Sequence, residues 1–266
     1  EAEEWIDLYK KVLAVTDHLK PDESIEETNE VVNETILELV KLYQLLLAKY
    51  TREQGQRDTY IVTIKEYRNR LTGRNAQDKA RALGFMGNIF LTCASNWREL
   101  PLLEDGISAY RDSIFMYIEL RDAPNALNTF NLLLSNSIAI YINYRQHGHS
   151  SLDYLSLPEE VFGNLIYTCI KMREALLKDM APIKVYIILQ KLEHYINEEL
   201  VKRSMFADAR SKSALTEATA RNPASSLEQT PKQTPKKTLE ELRLEVLREK
   251  IKLLGENPDM EEDYLG

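Results

Sequence analysis

Between residues 65 and 81 the sequence carries a cluster of basic side chains that could bind one ligand together. It contains six bases and two acids. The bases fall at the end of one predicted helix and the start of the next, so closure of this hairpin would bring them together. Because arginine binds carboxylate and phosphate groups through two parallel hydrogen bonds, the cluster predicts a seat for an acidic or phosphorylated peptide, formed by Lys65, Arg68, Arg70, Arg74 and Arg81.

The same charges also have a purely structural interpretation. Residues 1–50 carry twelve acids against five bases, and the basic cluster could pair with these acids within one chain. The sequence leaves the two interpretations open. The net charge of the whole chain is −8, which argues against general binding to the backbone of a nucleic acid.

Other reactive side chains do not form a catalytic or metal-binding pattern. His147 and His149 are the only local histidine pair, and no Cys-x-x-Cys or acidic cluster beside them completes the four ligands of a structural zinc site. The sequence has no G-x-S-x-G, no glycine-rich phosphate loop and no H-E-x-x-H motif. We therefore expect no catalytic residues, no metal site and no cofactor, in a protein that is not an enzyme.

A second candidate surface lies on a predicted helix over residues 238–254. Thr238 and Glu241 have the spacing of a capping box. Behind them, four apolar residues follow the 3-4-3 spacing of a helix that packs on other helices, namely Leu244, Leu247, Ile251 and Leu254. The sequence does not decide whether this helix docks on its own chain or on a partner protein.

The segment 206–237 before this helix is rich in Ser, Thr, Pro, Gln and Lys. Such a composition cannot offset its own ordering entropy, so the segment is predicted to be a disordered linker. Thr234 is followed by Pro235 and by Lys237. This pattern resembles the target motif of proline-directed cyclin-dependent kinases, which makes Thr234 a candidate phosphorylation site. Residues 255–266 are predicted to be an acidic tail.

The elements that carry these residues are predicted to be helices throughout. Apolar residues recur at helical spacing in eight segments of residues 1–205, and no segment alternates with the period of a strand. Residues 147–157 are predicted to be a loop, with Pro158 in the first turn of the next helix. The expected fold is all-α, with antiparallel hairpins stacked as a solenoid or as an irregular bundle.

The two cysteines, Cys93 and Cys169, lie in apolar helical patterns. They are expected to be buried free thiols in a reducing compartment. No apolar run approaches the ~20 residues of a membrane-spanning helix, and no signal peptide is visible. These features favour the cytoplasm or the nucleus.

Part of the chain resembles a tetratricopeptide repeat. The residues that carry the likeness are Ala80, Leu83, Gly84, Met86, Gly87, Asn88, Ile89 and Phe90, followed by Gly106, Ala109, Tyr110, Ser113 and Ile114. Glycine inside a helix costs about 1 kcal/mol against alanine, so Gly84 and Gly87 predict the close approach of a neighbouring helix. About seven extra residues near Ser95–Pro101 depart from the 34-residue period of the family. A more distant likeness is to the 14-3-3 type of helical bundle, and both resemblances imply peptide binding in a concave face.

Together these features predict a non-catalytic adaptor or scaffold subunit of a larger complex. It would bind protein partners through its helical surface and its C-terminal helix. The alternative function is that of a phosphopeptide or nucleic-acid reader that uses the basic hairpin 65–81.

Overall fold

The computed structural model describes residues 2–16, 25–49, 53–72, 77–97, 100–146, 152–176, 182–217 and 237–258. Within these ranges the chain is helical and has no strand, which confirms the predicted all-α class. None of the helices described there is long and apolar enough to cross a membrane. The nine helices of these ranges are α1 (Ala2–Thr16), α2 (Ile25–Lys49), α3 (Gln54–Arg70), α4 (Gln77–Trp97), α5 (Leu100–Glu119), α6 (Ala123–Gln146), α7 (Leu152–Leu176), α8 (Pro182–Glu217) and α9 (Leu239–Glu256).

The chain divides into two compact units. Unit 1 comprises Glu1–Gly148 and Lys171–Asp179, and unit 2 comprises His149–Ile170 and Met180–Gly266. Helices α1 to α6 therefore belong to unit 1, α8 and α9 belong to unit 2, and α7 contributes residues to both. The predicted body 1–205 spans both units, and α9 belongs to the same unit as α8.

In unit 1, helices α2, α4 and α6 follow one another as neighbours in a row, and α3 and α5 pack against this row. The direction of the helices follows from their side-chain bonds. Asn136 on α6 donates to Asn88 on α4, and Asn143 donates to Ser95, in both cases across 48 residues. A constant separation requires that α4 and α6 run in the same direction.

Helices α3 and α5 are parallel for the same reason. Lys65 on α3 forms an ion pair with Asp105 on α5, and Arg68 donates to Ser108, so both α3 residues meet an α5 residue 40 positions later. Parallel helices within each row, joined by antiparallel connections between rows, make unit 1 a stack of helical hairpins. This is the hairpin arrangement that the sequence predicted.

In unit 1, helices α4 and α5 approach each other closely where they cross. A Cβ atom on Gly87 would lie 2.6 Å from the ring of Tyr110, which is fully buried, and one on Gly84 would lie 3.3 Å from the Ser113 hydroxyl. The predicted close approach at these two glycines is therefore confirmed. The residues that interrupt the repeat period lie largely in helices, because α4 continues to Trp97 and α5 begins at Leu100.

Two helix bounds differ from the prediction. Helix α7 begins at Leu152, so the predicted loop is helical over residues 152–157 and Pro158 lies inside the helix. Proline removes one backbone donor from a helix, which weakens the helix there but does not end it when the surrounding turns are held by packing. Helix α8 continues to Glu217, past the predicted boundary at residue 205.

In unit 2, α7 and α8 are joined by a charged cluster. Arg203 on α8 donates to both carboxylate oxygens of Glu159 on α7, at 2.6 and 3.0 Å, and to Glu199 at 3.1 Å. The Glu199 carboxylate is buried, so this arginine compensates two carboxylates that water reaches poorly. The cluster therefore fixes how these two helices pack.

Helix α9 packs on α8, and its Leu242 also lies beside Gly163 of α7. The buried residues of α9 are Leu239, Leu242, Val246 and Leu253. Lys250 of α9 pairs with Glu193 of α8 at 2.8 Å. The capping box predicted at Thr238 and Glu241 is confirmed, with both of its hydrogen bonds present.

The two cysteines are buried free thiols, as predicted, and they fall in different units. Cys93 lies on α4 in unit 1, and Cys169 lies on α7 in the part that belongs to unit 2.

Candidate functional site

A cleft of about 190 Å³ opens between α4, α5 and α6 of unit 1. Its volume is enough for one side chain of a bound molecule. Helix α4 provides one wall, α5 the floor and α6 the other wall. The lining residues are Ala80, Arg81, Gly84, Phe85 and Asn88 from α4, Tyr110, Ser113 and Tyr117 from α5, and Thr129 and Leu132 from α6.

The floor of the cleft is polar and internally bonded. The Ser113 hydroxyl donates to the carbonyl of Ala80 at 2.6 Å. Burial raises the pKa of Tyr110 to about 12, although the hydrogen bond from Asn136 opposes this shift. The Tyr110 hydroxyl is therefore protonated at neutral pH, and it accepts a bond from the Asn136 amide at 3.2 Å.

A pair of half-buried amides lies at the cleft, where Asn88 lines it and Asn136 bonds to two lining residues, Asn88 and Tyr110. The Nδ2 atom of Asn136 donates to the Asn88 Oδ1 at 3.1 Å and to the Tyr110 hydroxyl. Both hydrogens of the Asn136 amide are thus used. The Asn136 Oδ1 and the Asn88 Nδ2 take no part in these two bonds, so the pair keeps one acceptor and one donor.

Arg81 supplies the positive charge of the cleft. Its guanidinium donates to Asp78 one turn earlier, at 3.2 Å, and half of its side chain is exposed. Its field is felt inside the cleft: burial raises the pKa of Tyr117, and the charge of Arg81 lowers it. An exposed arginine in an i,i+3 pair exchanges that partner at little cost, so Arg81 can bind a carboxylate of a ligand.

The walls of the cleft are apolar where they meet solvent. Phe85 is half-buried, and Lys41 of α2 lies 5.7 Å from the centre of its ring. Leu132 on α6 leaves about half of its surface exposed. Unpaired apolar surface beside bonded polar groups is typical of a binding site rather than of a packing defect.

The cleft residues include no cysteine, histidine or carboxylate beside the Ser113 hydroxyl, which already donates to a backbone carbonyl. Activating a hydroxyl nucleophile requires a base within hydrogen-bond reach. In the described ranges, no group of three His, Cys, Asp or Glu side chains is placed to hold a metal.

Of the predicted anion-binding residues, the structure describes Lys65, Arg68, Arg70 and Arg81, and these four bond to different partners. Lys65 pairs with Asp105 at 2.6 Å, and Arg68 donates to Asp112 at 2.5 Å, so both hold α3 against α5. Arg70 donates to the carbonyl of Leu13 on α1. Arg81 faces the cleft instead. The acids that pair with Lys65 and Arg68 belong to α5 and not to the acidic segment 1–50.

The four predicted contact residues of α9 lie away from its docked face. Leu244 is 52% exposed and Ile251 is 68% exposed, while Leu247 and Leu254 are half-buried. A different set of apolar residues faces α8. The helix thus docks on its own chain through one face and presents the predicted stripe on another.

Several predicted residues lie outside the described ranges. These are Arg74, the phosphorylation candidate Thr234, and the histidine pair His147 and His149. Their sequence-based predictions stand as predictions.

Sequence reasoning missed the amide pair and Leu132. A signal for them exists: α6 carries Thr129, Asn136 and Asn143 at intervals of seven residues inside an otherwise apolar pattern. Residues seven apart share one face of a helix. The matching residues of α4, which lie 48 positions earlier, are Arg81, Asn88 and Ser95.

Comparison of the chain with protein-family models, with curated proteins and with solved structures finds no match, so the function must be inferred from the cleft and the surfaces themselves.

Proposed function

We propose that this protein is a non-catalytic adaptor that binds an extended peptide segment of a partner protein in the α4–α5–α6 cleft. The observation that supports the proposal is the half-buried amide pair at the cleft, in which Asn88 lines the cleft and Asn136 bonds to Asn88 and to Tyr110. We propose the cytoplasm or the nucleus as its location.

The amide pair matches the chemistry of a peptide backbone. A peptide group offers one N–H and one C=O, and the pair offers one acceptor and one donor. Burial of the pair against Tyr110 keeps both amides in a fixed orientation. A preorganised pair loses little entropy on binding, which favours affinity.

The rest of the cleft defines the side chains of the ligand. The volume of about 190 Å³ suits one medium-sized apolar side chain between Phe85 and Leu132. Arg81 at the rim favours a carboxylate nearby. The proposed ligand is therefore an extended segment that carries one apolar and one acidic side chain close together.

The alternative, a phosphopeptide or nucleic-acid reader built on the basic hairpin, is the weaker proposal. Lys65 and Arg68 are already neutralised by Asp105 and Asp112. An anion would have to displace these carboxylates, at the cost of the α3–α5 contact.

The proposal is tested by selecting peptides from a random displayed library on the immobilised full chain and measuring their dissociation constants by fluorescence anisotropy. Asn136→Leu should weaken the selected peptides by tenfold or more, which corresponds to about 1.4 kcal/mol. Arg81→Glu should weaken the acidic ones. Asn143→Leu is the matched control, because it lies two turns further on the same face of α6 and bonds to Ser95, which does not line the cleft.

Thermal unfolding of each variant must show that the fold is intact. Peptides that bind Asn136→Leu and Arg81→Glu as well as they bind the unchanged chain would contradict the cleft as the site. A library that yields no specific peptide would contradict the proposed function.

A further inference from the structure

Helix α9 carries an apolar stripe outside its buried face, in which Leu244 and Ile251 are exposed and Leu247 and Leu254 are half-buried. The stripe consists of Leu244, Leu247, Ile251 and Leu254, which follow the spacing of the core positions of a coiled coil. The stripe is rotated about the helix axis by about a third of a turn from the buried face of Leu239, Leu242 and Val246, because successive helix residues are ~100° apart. The apolar residues of α9 therefore lie on two faces, of which only one is fully buried.

Helix α1 presents a stripe of the same spacing. Trp5, Leu8, Val12 and Val15 are separated by three, four and three residues, as on α9. Trp5 is 50% exposed and Val15 is 64% exposed, while Ile6 and Leu13 face the core of unit 1. Helix α1 packs on α2, and the stripe lies on its other side.

The residues that flank the two stripes decide which pairing is favourable. The core positions of a coiled coil alternate as a and d, and Trp5 and Leu244 are a positions here. In a parallel pair of helices, the residue just before an a position meets the partner residue five positions later, just after the next d position. With Trp5 level with Leu244, this rule places Glu4 beside Arg248 and Arg243 beside Tyr9. The first contact joins opposite charges, and the second places a guanidinium at an aromatic ring, where the attraction is also favourable.

Pairing α9 with a second α9 is unfavourable by the same rule. In the parallel orientation Arg243 would meet Arg248 on both sides of the pair, and in the antiparallel orientation Arg248 would meet its own counterpart. An antiparallel α1–α9 pair would place Lys11 beside Lys250. Like charges at these positions oppose association, so the parallel α1–α9 pair is the favoured one among the pairings that use the α9 stripe.

From these two stripes and their flanking charges we propose that α9 of one copy of this protein binds α1 of a second copy as a parallel two-helix contact. The contact is heterologous, since α9 of one copy meets α1 of the other and the two copies therefore contribute different helices. Such contacts build open chains or closed rings. The surface shares no residue with the cleft, so this proposal and the proposed function can fail independently.

Two variants of the full chain separate this pairing from the alternatives. One carries Trp5→Asp and Leu8→Asp and keeps the α9 stripe; the other carries Leu244→Asp and Ile251→Asp and keeps the α1 stripe. Analytical ultracentrifugation from ~1 to ~200 μM should find association of the unchanged chain beyond a dimer or into a ring. Each variant alone should be monomeric, and an equimolar mixture should form a 1:1 complex that does not grow.

The other pairings give different results. Association of the first variant alone would show α9–α9 pairing, and association of the second alone would show α1–α1 pairing; either result overturns the proposal. An unchanged chain that stays monomeric at every concentration, or a mixture that forms no complex, overturns it as well.

A charge exchange between two exposed residues, Glu4 and Arg248, tests the parallel orientation. Arg248→Glu should weaken association roughly fivefold, since a surface ion pair contributes up to about 1 kcal/mol. Glu4→Arg added to the same chain should restore it. The matched control is Lys252→Glu, which is exposed on α9 outside the contact and should change nothing. Failure of Glu4→Arg to restore association would contradict the parallel α1–α9 contact.

Discussion

At the scale of single residues, Gly87 shows how the sequence indicates a tertiary contact. A glycine inside a helix lowers helix stability, so its presence in α4 predicts a close neighbour. The neighbour is the ring of Tyr110, 2.6 Å from where a Cβ would stand. The contact sets the depth of the cleft, because Tyr110 forms its floor.

Gly87→Ala should therefore lower the free energy of unfolding by about 1–3 kcal/mol, since overpacking against a buried ring exceeds the gain in helix propensity. Gly163→Ala on α7 is the matched control, because its Cβ would meet only Leu242 at an ordinary 3.8 Å. That variant should gain up to about 1 kcal/mol. Urea unfolding followed by circular dichroism measures both. Equal effects of the two changes would show that the α4–α5 approach is not close.

Charged residues were less predictable than glycines. The sequence identified Lys65 and Arg68 as a basic cluster but not their partners, Asp105 and Asp112, which lie 40 and 44 residues away. Ion pairs depend on which helix faces are apposed, and no local pattern encodes that. The Asn88–Asn136 pair was missed for the same reason, because its members become neighbours only when α4 and α6 align.

At the scale of elements, helix positions were largely predictable because apolar spacing and caps are local signals. The start of α7 was not, since Pro158 has the appearance of a first-turn proline while six helical residues precede it. Helix α9 shows a different difficulty. Its leucines form two stripes, and the sequence does not contain the information about which of them α8 covers.

The two stripes of α9 predict opposite responses to truncation. Leu242→Ala removes a buried side chain and should cost about 2–5 kcal/mol of unit 2 stability, by lost transfer energy and a cavity. Leu244→Ala removes an exposed side chain of the same type and should change stability by less than about 0.5 kcal/mol. Hydrogen exchange of α9 amides at low protein concentration measures both. Similar losses would mean that the docked face lies between the two stripes.

At the scale of the whole molecule, unit 1 buries several tyrosine hydroxyls. Burial raises the pKa values of Tyr43, Tyr67 and Tyr117, and it raises that of Tyr110 to about 12. A raised pKa in the folded state means that unfolded tyrosines, with values near 10, release protons first. These tyrosines therefore contribute their full share to the free energy of unfolding only below about pH 10.

The stability of unit 1 should therefore be level up to about pH 9 and fall between about pH 10 and 12. Each tyrosine that ionises only on unfolding contributes a slope of about 1.4 kcal/mol per pH unit. Urea midpoints across this range, with tyrosinate absorbance at 295 nm as a second signal, measure the effect. Tyr110→Phe should reduce the slope, and an unchanged slope in this variant would show that Tyr110 titrates alike in both states.

The two buried cysteines allow the opening of each unit to be measured separately. A thiol reagent added to the native protein modifies Cys93 only when unit 1 opens, and Cys169 only when unit 2 opens. With one of the two replaced by serine, the rate of labelling reports how often a single unit exposes its interior. The pair of rates would tell whether the units open together or one at a time, without any label attached to the surface.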